Sequence, residues 1–234
     1  MLTTSDLARY QSPRRRANVA RAVLLAILVV DVVAVWSSQM EHSLLGRIDA
    51  GEFVSDDELT WSDNRQVVIG YTQFGLFLLC AIKFLAWFVQ AYRDAEALGA
   101  NGLRFSSRWA IGAWFVPFLN LVRPKQIAND IWRASSPHVS LTRQREWEFL
   151  NPPAFLMAWW LAFLASGWAE NATRVYADGE TVEELQKLDH AWMVADGIDA
   201  LAALLAIVVV TVITRRLEAR YELARASAEQ SEPS

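Results

Sequence analysis

The chain has 234 residues, of which 53% are hydrophobic, with one cysteine and a formal net charge of −4. A single cysteine excludes a disulfide framework and a cysteine-based zinc site, and the negative charge argues against a nucleic-acid binder with a basic face. The mean hydropathy of +0.16 does not separate soluble from membrane proteins. The positions of the apolar residues must therefore decide the class.

Five apolar stretches follow one another along the chain, at 19–36, 67–89, 109–122, 154–168 and 191–213. A helix needs about 20 mostly apolar residues to cross a membrane, and the first, second and fifth stretches meet this directly. The fourth has a strong helix start, because Asn151 can cap a helix that begins with Pro152 and Pro153. The predicted spans are about 19–38, 67–90, 152–174 and 191–214, between a basic N-terminal segment (1–18) and a charged C-terminal tail (215–234).

The third stretch is too short to span, and the distribution of Lys and Arg indicates where it lies. With four spans, 18 of the 22 basic residues lie on the cytoplasmic side and 4 outside, whereas a fifth span would give 11 on each side. Because basic residues collect in cytoplasmic loops, four spans with both termini cytoplasmic are predicted. Segment 106–135 is then a shallow re-entrant hairpin, broken at Pro117, or two short in-plane helices, and both remain open.

The predicted fold is therefore all-α. It is an integral membrane bundle of four transmembrane helices with a cytoplasmic-side re-entrant or in-plane helical hairpin, placed in the plasma membrane. Two acidic outer loops are expected, at 39–66 and 170–190. In the second of them, Thr181 and Glu184 have the spacing of a capping box for a short outer helix.

The segment 87–136 carries a long and distinctive motif, WFVQAYRDAEALGANGLRFSSRWAIGAWFVPFLNLVRPKQIANDIWRASS. It resembles the integral membrane family catalogued as domain of unknown function 4328, which is commonest in bacteria of the actinobacterial group. The resemblance implies a multi-span membrane domain with no assigned activity and no catalytic residues to carry over. The candidate motif and lipid-contact residues are Tyr92, Arg93, Arg104, Arg108, Trp109, Trp114, Pro117, Asn120, Arg123, Pro124, Gln126 and Trp132.

The arginines of this segment have two interpretations. They can bind lipid phosphates, or they can serve only as topology determinants. A helix starting at Pro124 would place Ile127, Ile131 and Trp132 on one face and would carry Lys125 and Arg133, as an interfacial helix on an anionic leaflet does. The expected partners are the bilayer, with anionic headgroups, and a protein partner or a second copy of the chain, but no nucleic acid.

Four charged residues well inside the predicted spans are singled out, because a charge there is costly and by default a functional candidate: Asp31, Lys83, Asp196 and Asp199. Asp31 and Asp199 fall at similar depths in the outer half, and Asp196 shares a helical face with Asp199. The three carboxylates can converge as a cation or proton site. Alternatively, they hydrogen-bond between helices, with Tyr71, Thr72 and Gln73 as candidate partners. Lys83 lies near the inner end and can extend to the headgroups.

The sequence offers no catalytic motif, metal-ligand spacing or cofactor loop. The function expected first is therefore that of a non-enzymatic membrane protein whose basic, aromatic cytoplasmic face binds lipid headgroups or a protein partner. The alternative is a small transporter or channel component that uses the buried aspartates as a cation or proton site.

Overall fold

The computed structural model describes residues 7–100, 103–137, 146–179 and 181–231, and within these ranges the chain is helical without a β-strand. This confirms the all-α class. Short 3₁₀ turns occur at Leu119–Leu121, Glu146–Phe149 and Arg174–Tyr176. The α-helices, numbered here in chain order, are α1 (Arg14–Asp49), α2 (Asp56–Ala97), α3 (Trp109–Gly112), α4 (Arg123–Ala134), α5 (Ala154–Thr173) and α6 (Val182–Ser231).

Three helices are long and apolar enough to cross a membrane by length and composition: Arg14–Asp49, Asp56–Ala97 and Val182–Gln230. They indicate a membrane-embedded protein. The fourth expected span corresponds to α5, which has 20 residues but is not one of the three. Its three tryptophans, Ser166 and Glu170 lower its mean hydropathy.

The helices extend further than the apolar stretches, so most of the segment expected as an outer loop at 39–66 is helical. α1 continues to Asp49 and α2 begins at Asp56, so the connection between them is only 50–55. An apolar stretch marks the part of a helix that fits hydrocarbon, whereas the helix itself ends where the backbone turns. Here Gly51 adopts a φ of +74°, which only glycine adopts without strain.

The capping box at the start of α6 is confirmed. The Thr181 N–H donates to Glu184 Oε2 at 3.2 Å, and the Glu184 N–H donates to Thr181 Oγ1 at 3.3 Å. The helix that it starts has 50 residues, however, and is not the short outer helix that was expected. It continues through 215–231, the segment expected to form a charged tail.

The chain divides into two compact units. The first unit comprises Met1–Ala22, Ala81–Ala158 and Ile207–Ser234, and the second unit comprises Val23–Cys80 and Trp159–Ala206. Each unit therefore takes segments from α1, α2, α5 and α6. In the first unit, α2, α4 and α6 provide the largest fully buried apolar side chains, among them Trp87, Phe88, Tyr92, Ile127, Ile131, Ile213 and Leu217.

The segment after α2 is held by defined turns. Gly99 ends α2 with a φ of +84°, and the Ala100 N–H donates to the Ala95 carbonyl at 3.1 Å, which is the Schellman arrangement. After α3 the chain turns at Pro117 and Phe118, where Phe118 has a φ of +62°. α4 follows, with Pro124 in its first turn. The segment is thus two short helices joined by a strained turn.

Candidate functional site

Two groups of residues in the described structure qualify as candidate sites, one in each unit. In the first unit, Arg104 forms a two-pronged ion pair with Asp130 of α4, with Nε 2.9 Å from Oδ2 and Nη2 2.6 Å from Oδ1. The hydrogen-bonded carboxylate raises the pKa of the Arg104 guanidinium. This arginine was a candidate lipid contact, and its Nε and Nη2 are engaged by Asp130 while its side chain stays 46% exposed.

Arg123, at the start of α4, is arranged differently. Its guanidinium carbon lies 4.0 Å from the centre of the Trp109 ring and 5.4 Å from that of Phe105, within the range of cation–π attraction. Its Nη1 is buried and has no hydrogen-bond partner among the described residues. The stack therefore fixes the guanidinium, and an outside acceptor can reach its buried Nη1 only after neighbouring side chains move.

Between Arg108 and Arg123 the chain exposes a run of large apolar side chains, here called the apolar turn: Ile111, Phe115, Val116, Phe118, Leu121 and Val122. Phe115 is 71% exposed and Phe118 83% exposed. Contiguous apolar surface of this kind marks a contact with a partner or a membrane. Trp114, by contrast, packs edge-on against Phe84 and Phe88, with ring centroids 5.8 and 6.0 Å apart.

Further cations follow the apolar turn on α4. Burial, followed by the nearby positive charge of Arg133, lowers the pKa of the Lys125 ammonium. Arg133 itself donates to the Leu150 carbonyl at 2.7 Å. The two cations thus repel each other, although Asp130, 3.7 Å from Arg133, offsets part of that repulsion.

The remaining candidate residues of the motif differ in their burial and in their hydrogen-bond partners. The Tyr92 hydroxyl donates to the Phe105 carbonyl, and Trp132 lies under Arg216, whose guanidinium carbon is 4.2 Å from the ring centre. Pro124 is buried, Asn120 and Gln126 are half-buried, and Arg93 and Arg108 are exposed. The structure therefore gathers Arg108, Trp109, Arg123 and Lys125 around the apolar turn and uses Tyr92, Arg104 and Trp132 for internal packing.

Sequence reasoning missed two arginines of α6 that belong to this unit. Arg220 is 4% exposed and donates to the carbonyls of Leu98, at 3.3 Å, and Ser136, at 2.6 Å. Arg216 donates to the Trp132 carbonyl at 3.1 Å. Both lie in the segment expected to form the charged C-terminal tail, and nothing local in the sequence distinguishes them from its exposed arginines.

In the second unit, Gln73 of α2 joins two of the predicted membrane carboxylates. Its Nε2 donates to Asp31 Oδ1 at 3.2 Å and to Asp196 Oδ1 at 2.8 Å. Gln73 was one of three expected partners, and this expectation is confirmed. The other two are not partners, since Tyr71 is 76% exposed and the Thr72 hydroxyl donates to the Val68 carbonyl of its own helix.

Asp199 joins the same group, since Asp31 and Asp196 both lie close enough to interact with it electrostatically. The Ser166 hydroxyl of α5 lies beside its carboxylate. Glu170, one turn further along α5, also interacts electrostatically with Asp196 and Asp199. The carboxylate cluster is defined here as Asp31, Asp196, Asp199 and Glu170. Sequence reasoning had assigned Glu170 to an outer loop, although its spacing of four from Ser166 places the two on one helical face.

Lys83 does not belong to this cluster. It is half-buried in the first unit and forms no ion pair with any residue that the structure describes.

Within the described part of the chain, no three His, Cys, Asp or Glu side chains come close enough to hold a metal ion.

Comparison with known proteins identifies the family of the chain. No curated protein and no solved structure is significantly similar to the chain. A family profile covers residues 50–215, which include α2 to α5, the apolar turn and most of the carboxylate cluster. Because this match spans well over half of the sequence, the chain belongs to the family described as Domain of unknown function (DUF4328).

Proposed function

We propose that the protein is a non-enzymatic, multi-pass protein of the plasma membrane whose cytoplasmic face binds anionic lipid headgroups through the apolar turn and the cations beside it. In this proposal α1, α2, α5 and α6 each cross the bilayer, and both termini are cytoplasmic. The distribution of Lys and Arg supports this orientation, with 18 basic residues inside and 4 outside.

The apolar turn carries the proposal. Its phenylalanines are too exposed to contribute to the core of the first unit, and a bilayer removes such side chains from water. Phe118 keeps a φ of +62° and a ψ of −36° at the tip of the turn, where the Leu119 N–H donates to the Pro117 carbonyl at 2.8 Å as in a γ-turn. Backbone strain of this kind is retained where the surrounding structure or a function requires it. We infer that these side chains insert among the acyl chains, as in a shallow hairpin.

The cations beside the turn support headgroup binding. Arg123 is held against Trp109 with Nη1 unpartnered among the described residues, and Lys125 lies close to a second cation. Tryptophan with basic residues is the combination that concentrates at the membrane–water interface. A lipid phosphate there would accept from Arg123 and reduce the repulsion between Lys125 and Arg133.

Native mass spectrometry of the purified protein tests this proposal, with phosphatidylglycerol and phosphatidylcholine as the added lipids. We expect the wild type to bind phosphatidylglycerol more tightly. The variant Arg123→Gln with Lys125→Gln should lose about fivefold in affinity per cation removed, because one basic residue near an anionic leaflet contributes about 1 kcal/mol.

The matched control is Arg225→Gln, which removes an exposed arginine paired with Glu229 on α6 and should leave lipid affinity unchanged. Circular dichroism establishes that each variant keeps its helical content. Equal binding of both lipids by the wild type would reject the proposal, as would full retention of phosphatidylglycerol by the double variant. Either result would favour a protein partner at the apolar turn.

A second candidate function is that of a small transporter or channel component. It is favoured by one observation, the Gln73 amide that donates to carboxylates of two other helices. Ionisable residues inside a membrane bundle commonly mark an ion pathway or a proton relay. In this reading the carboxylate cluster carries a cation or a proton across the bilayer.

Flux measurements in proteoliposomes loaded with a pH-sensitive or sodium-sensitive dye test the second candidate. We expect flux in the wild type and its loss in Asp31→Asn and in Asp199→Asn. Asp49→Asn is the matched control, because it lies on α1 with Asp31 but is exposed. Absence of flux in the wild type, or equal flux in all variants, would reject a transport function.

A further inference from the structure

We infer that the carboxylate cluster binds a proton, which is held at Asp31 and enters past Glu170, Asp199 and Asp196. This deepens the second candidate function and rests on the same residues, but it names the ligand and the residue that holds it. The inference depends on the burial of Asp31, on the groups that face it and on the order in which the four carboxylates become accessible.

Asp31 is the buried end of the cluster. Its side chain is 2% exposed, its Oδ1 accepts from Gln73, and its Oδ2 is buried with no hydrogen-bond partner among the described residues. A buried carboxylate oxygen without a partner is costly when it carries charge. A proton on Oδ2 would remove that charge.

The groups facing Asp31 from the neighbouring helices include no cation in the described structure. α6 contributes Asp196 and Asp199, and α5 contributes Glu170. α2 contributes the uncharged Gln73 amide and the Cys80 thiol, which lies near Asp199. Several carboxylates within electrostatic range of one another in an apolar environment are not all ionised together, so the cluster must gain positive charge.

The position of Gln73 favours a proton over a larger cation. Its Nε2 lies between Asp31 and Asp196 and donates to both. A metal ion between these two carboxylates would have to displace the amide, whereas a proton needs only the unpartnered Oδ2. In the exchange, hydronium transfers a proton to a carboxylate and leaves as water, so the cluster gains one positive charge per proton bound.

The four carboxylates form a graded series from accessible to buried. Glu170 is exposed, Asp196 and Asp199 are half-buried, and Asp31 is buried. The Ser166 hydroxyl lies beside Asp199 and also donates to the Phe163 carbonyl of its own helix at 3.0 Å. A proton arriving at Glu170 therefore meets acceptors at each depth before it reaches Asp31.

Infrared spectroscopy of the full chain in lipid nanodiscs tests this directly, because protonated and ionised carboxyl groups absorb at different frequencies. Near neutral pH we expect the wild type to show the carbonyl band of a protonated carboxyl group. Asp31→Asn should lose the Asp31 part of this band, since Asp94 and Asp189 also have a buried Oδ2 without a partner among the described residues. The exposed control Asp49→Asn should keep the band whole. A wild type without the band would overturn the inference, and so would an unchanged band in Asp31→Asn.

Glu170→Gln and Asp199→Asn provide a second measurement should Asp31→Asn fail to fold. Each removes one negative neighbour, so the band should titrate at lower pH than in the wild type. An unchanged titration in both would overturn the inference. Exchanging sodium for N-methyl-D-glucamine should have no effect on the band, and a midpoint that moves with sodium would instead identify a sodium site.

The flux experiment separates the inference from the second candidate function. A protonated band that depends on Asp31, without proton flux, would support the proton site and reject transport. Flux in the wild type without a protonated band would reject the proton site and leave transport of another cation.

Discussion

Arg104 and Asp130 form an ion pair in which both carboxylate oxygens accept from the guanidinium, at 2.9 and 2.6 Å. The aspartate side chain is 1% exposed and the arginine side chain 46% exposed. Two-pronged pairs of this kind fix orientation as well as distance. The pair therefore orients α4 against the segment that follows α2, and with it the cations at the start of α4.

Asp130→Asn should lower the free energy of unfolding by about 1–3 kcal/mol, because it removes a buried ionised acceptor from a hydrogen-bonded pair. Reversible denaturation in detergent micelles measures this difference. Asp178→Asn is the control, since Asp178 is exposed. Equal stability of the two variants would show that the pair does not hold α4 in place.

Tyr10 predicts a specific response to alkaline pH. Its ring stacks on that of Tyr221 with centroids 4.2 Å apart, and burial, followed by the charges of Asp94 and Glu218, raises the pKa of its phenol. The pKa of the phenol is therefore higher in the folded protein than in the unfolded chain, where it is about 10. Below about pH 10 the phenol is neutral in both states and the protein keeps its full stability. As the pH rises from the unfolded pKa towards the folded pKa, the unfolded chain loses the proton first and the protein loses stability.

The matched variant is Tyr10→Phe, which keeps the ring and removes the titrating group. Between about pH 9 and about pH 12 the wild type should lose stability relative to this variant. Thermal denaturation across this range, with absorbance titration of the tyrosines, measures both effects. Parallel curves for the two proteins would contradict the prediction.

Phe118 offers a test of the apolar turn. A left-handed backbone costs an L-residue about 1–2 kcal/mol, a cost that glycine avoids. Phe118→Gly should therefore be more stable in detergent than Phe118→Ala by about 1 kcal/mol, although both variants lose the same ring. If the alanine variant unfolds at the same denaturant concentration as the glycine variant, the turn does not have the backbone conformation described.

The four-span topology can be tested by cysteine labelling in a Cys80→Ser background, which removes the chain's one native thiol. Val175→Cys, exposed after α5, should react with a membrane-impermeant maleimide in intact cells. Ala226→Cys, exposed on α6, should react only after permeabilisation. Labelling of Ala226→Cys in intact cells would require a different number of spans or the opposite orientation.

Local signals in the sequence predicted the features that depend on neighbours along the chain. Thr181 and Glu184 predicted the start of α6, and Pro124 predicted that of α4. The apolar periodicity predicted helices in the right places but not their ends, because the charged continuation of α1 remains helical to Asp49. Hydropathy reports where a helix meets lipid and is insensitive to where its backbone stops.

The candidate sites were less predictable, because they depend on partners far apart in sequence. The depth of Asp31 and Asp199 and the polar character of Gln73 indicated a meeting of the membrane carboxylates. For Arg104, however, the sequence gave no reason to choose Asp130, 26 residues away, over a lipid phosphate. For Arg220, the acceptors are carbonyl groups 122 and 84 residues away.

The position of Arg220 has a consequence for the order in which the protein assembles. Its acceptors, the carbonyls of Leu98 and Ser136, are synthesised long before the arginine that binds them. All segments of the second unit are complete by residue 206, whereas the first unit still lacks 207–231 at that stage. We therefore expect the first unit to be completed last during synthesis. In a chain whose synthesis stalls before the end of α6, the carbonyls of Leu98 and Ser136 would still lack the Arg220 guanidinium as their donor.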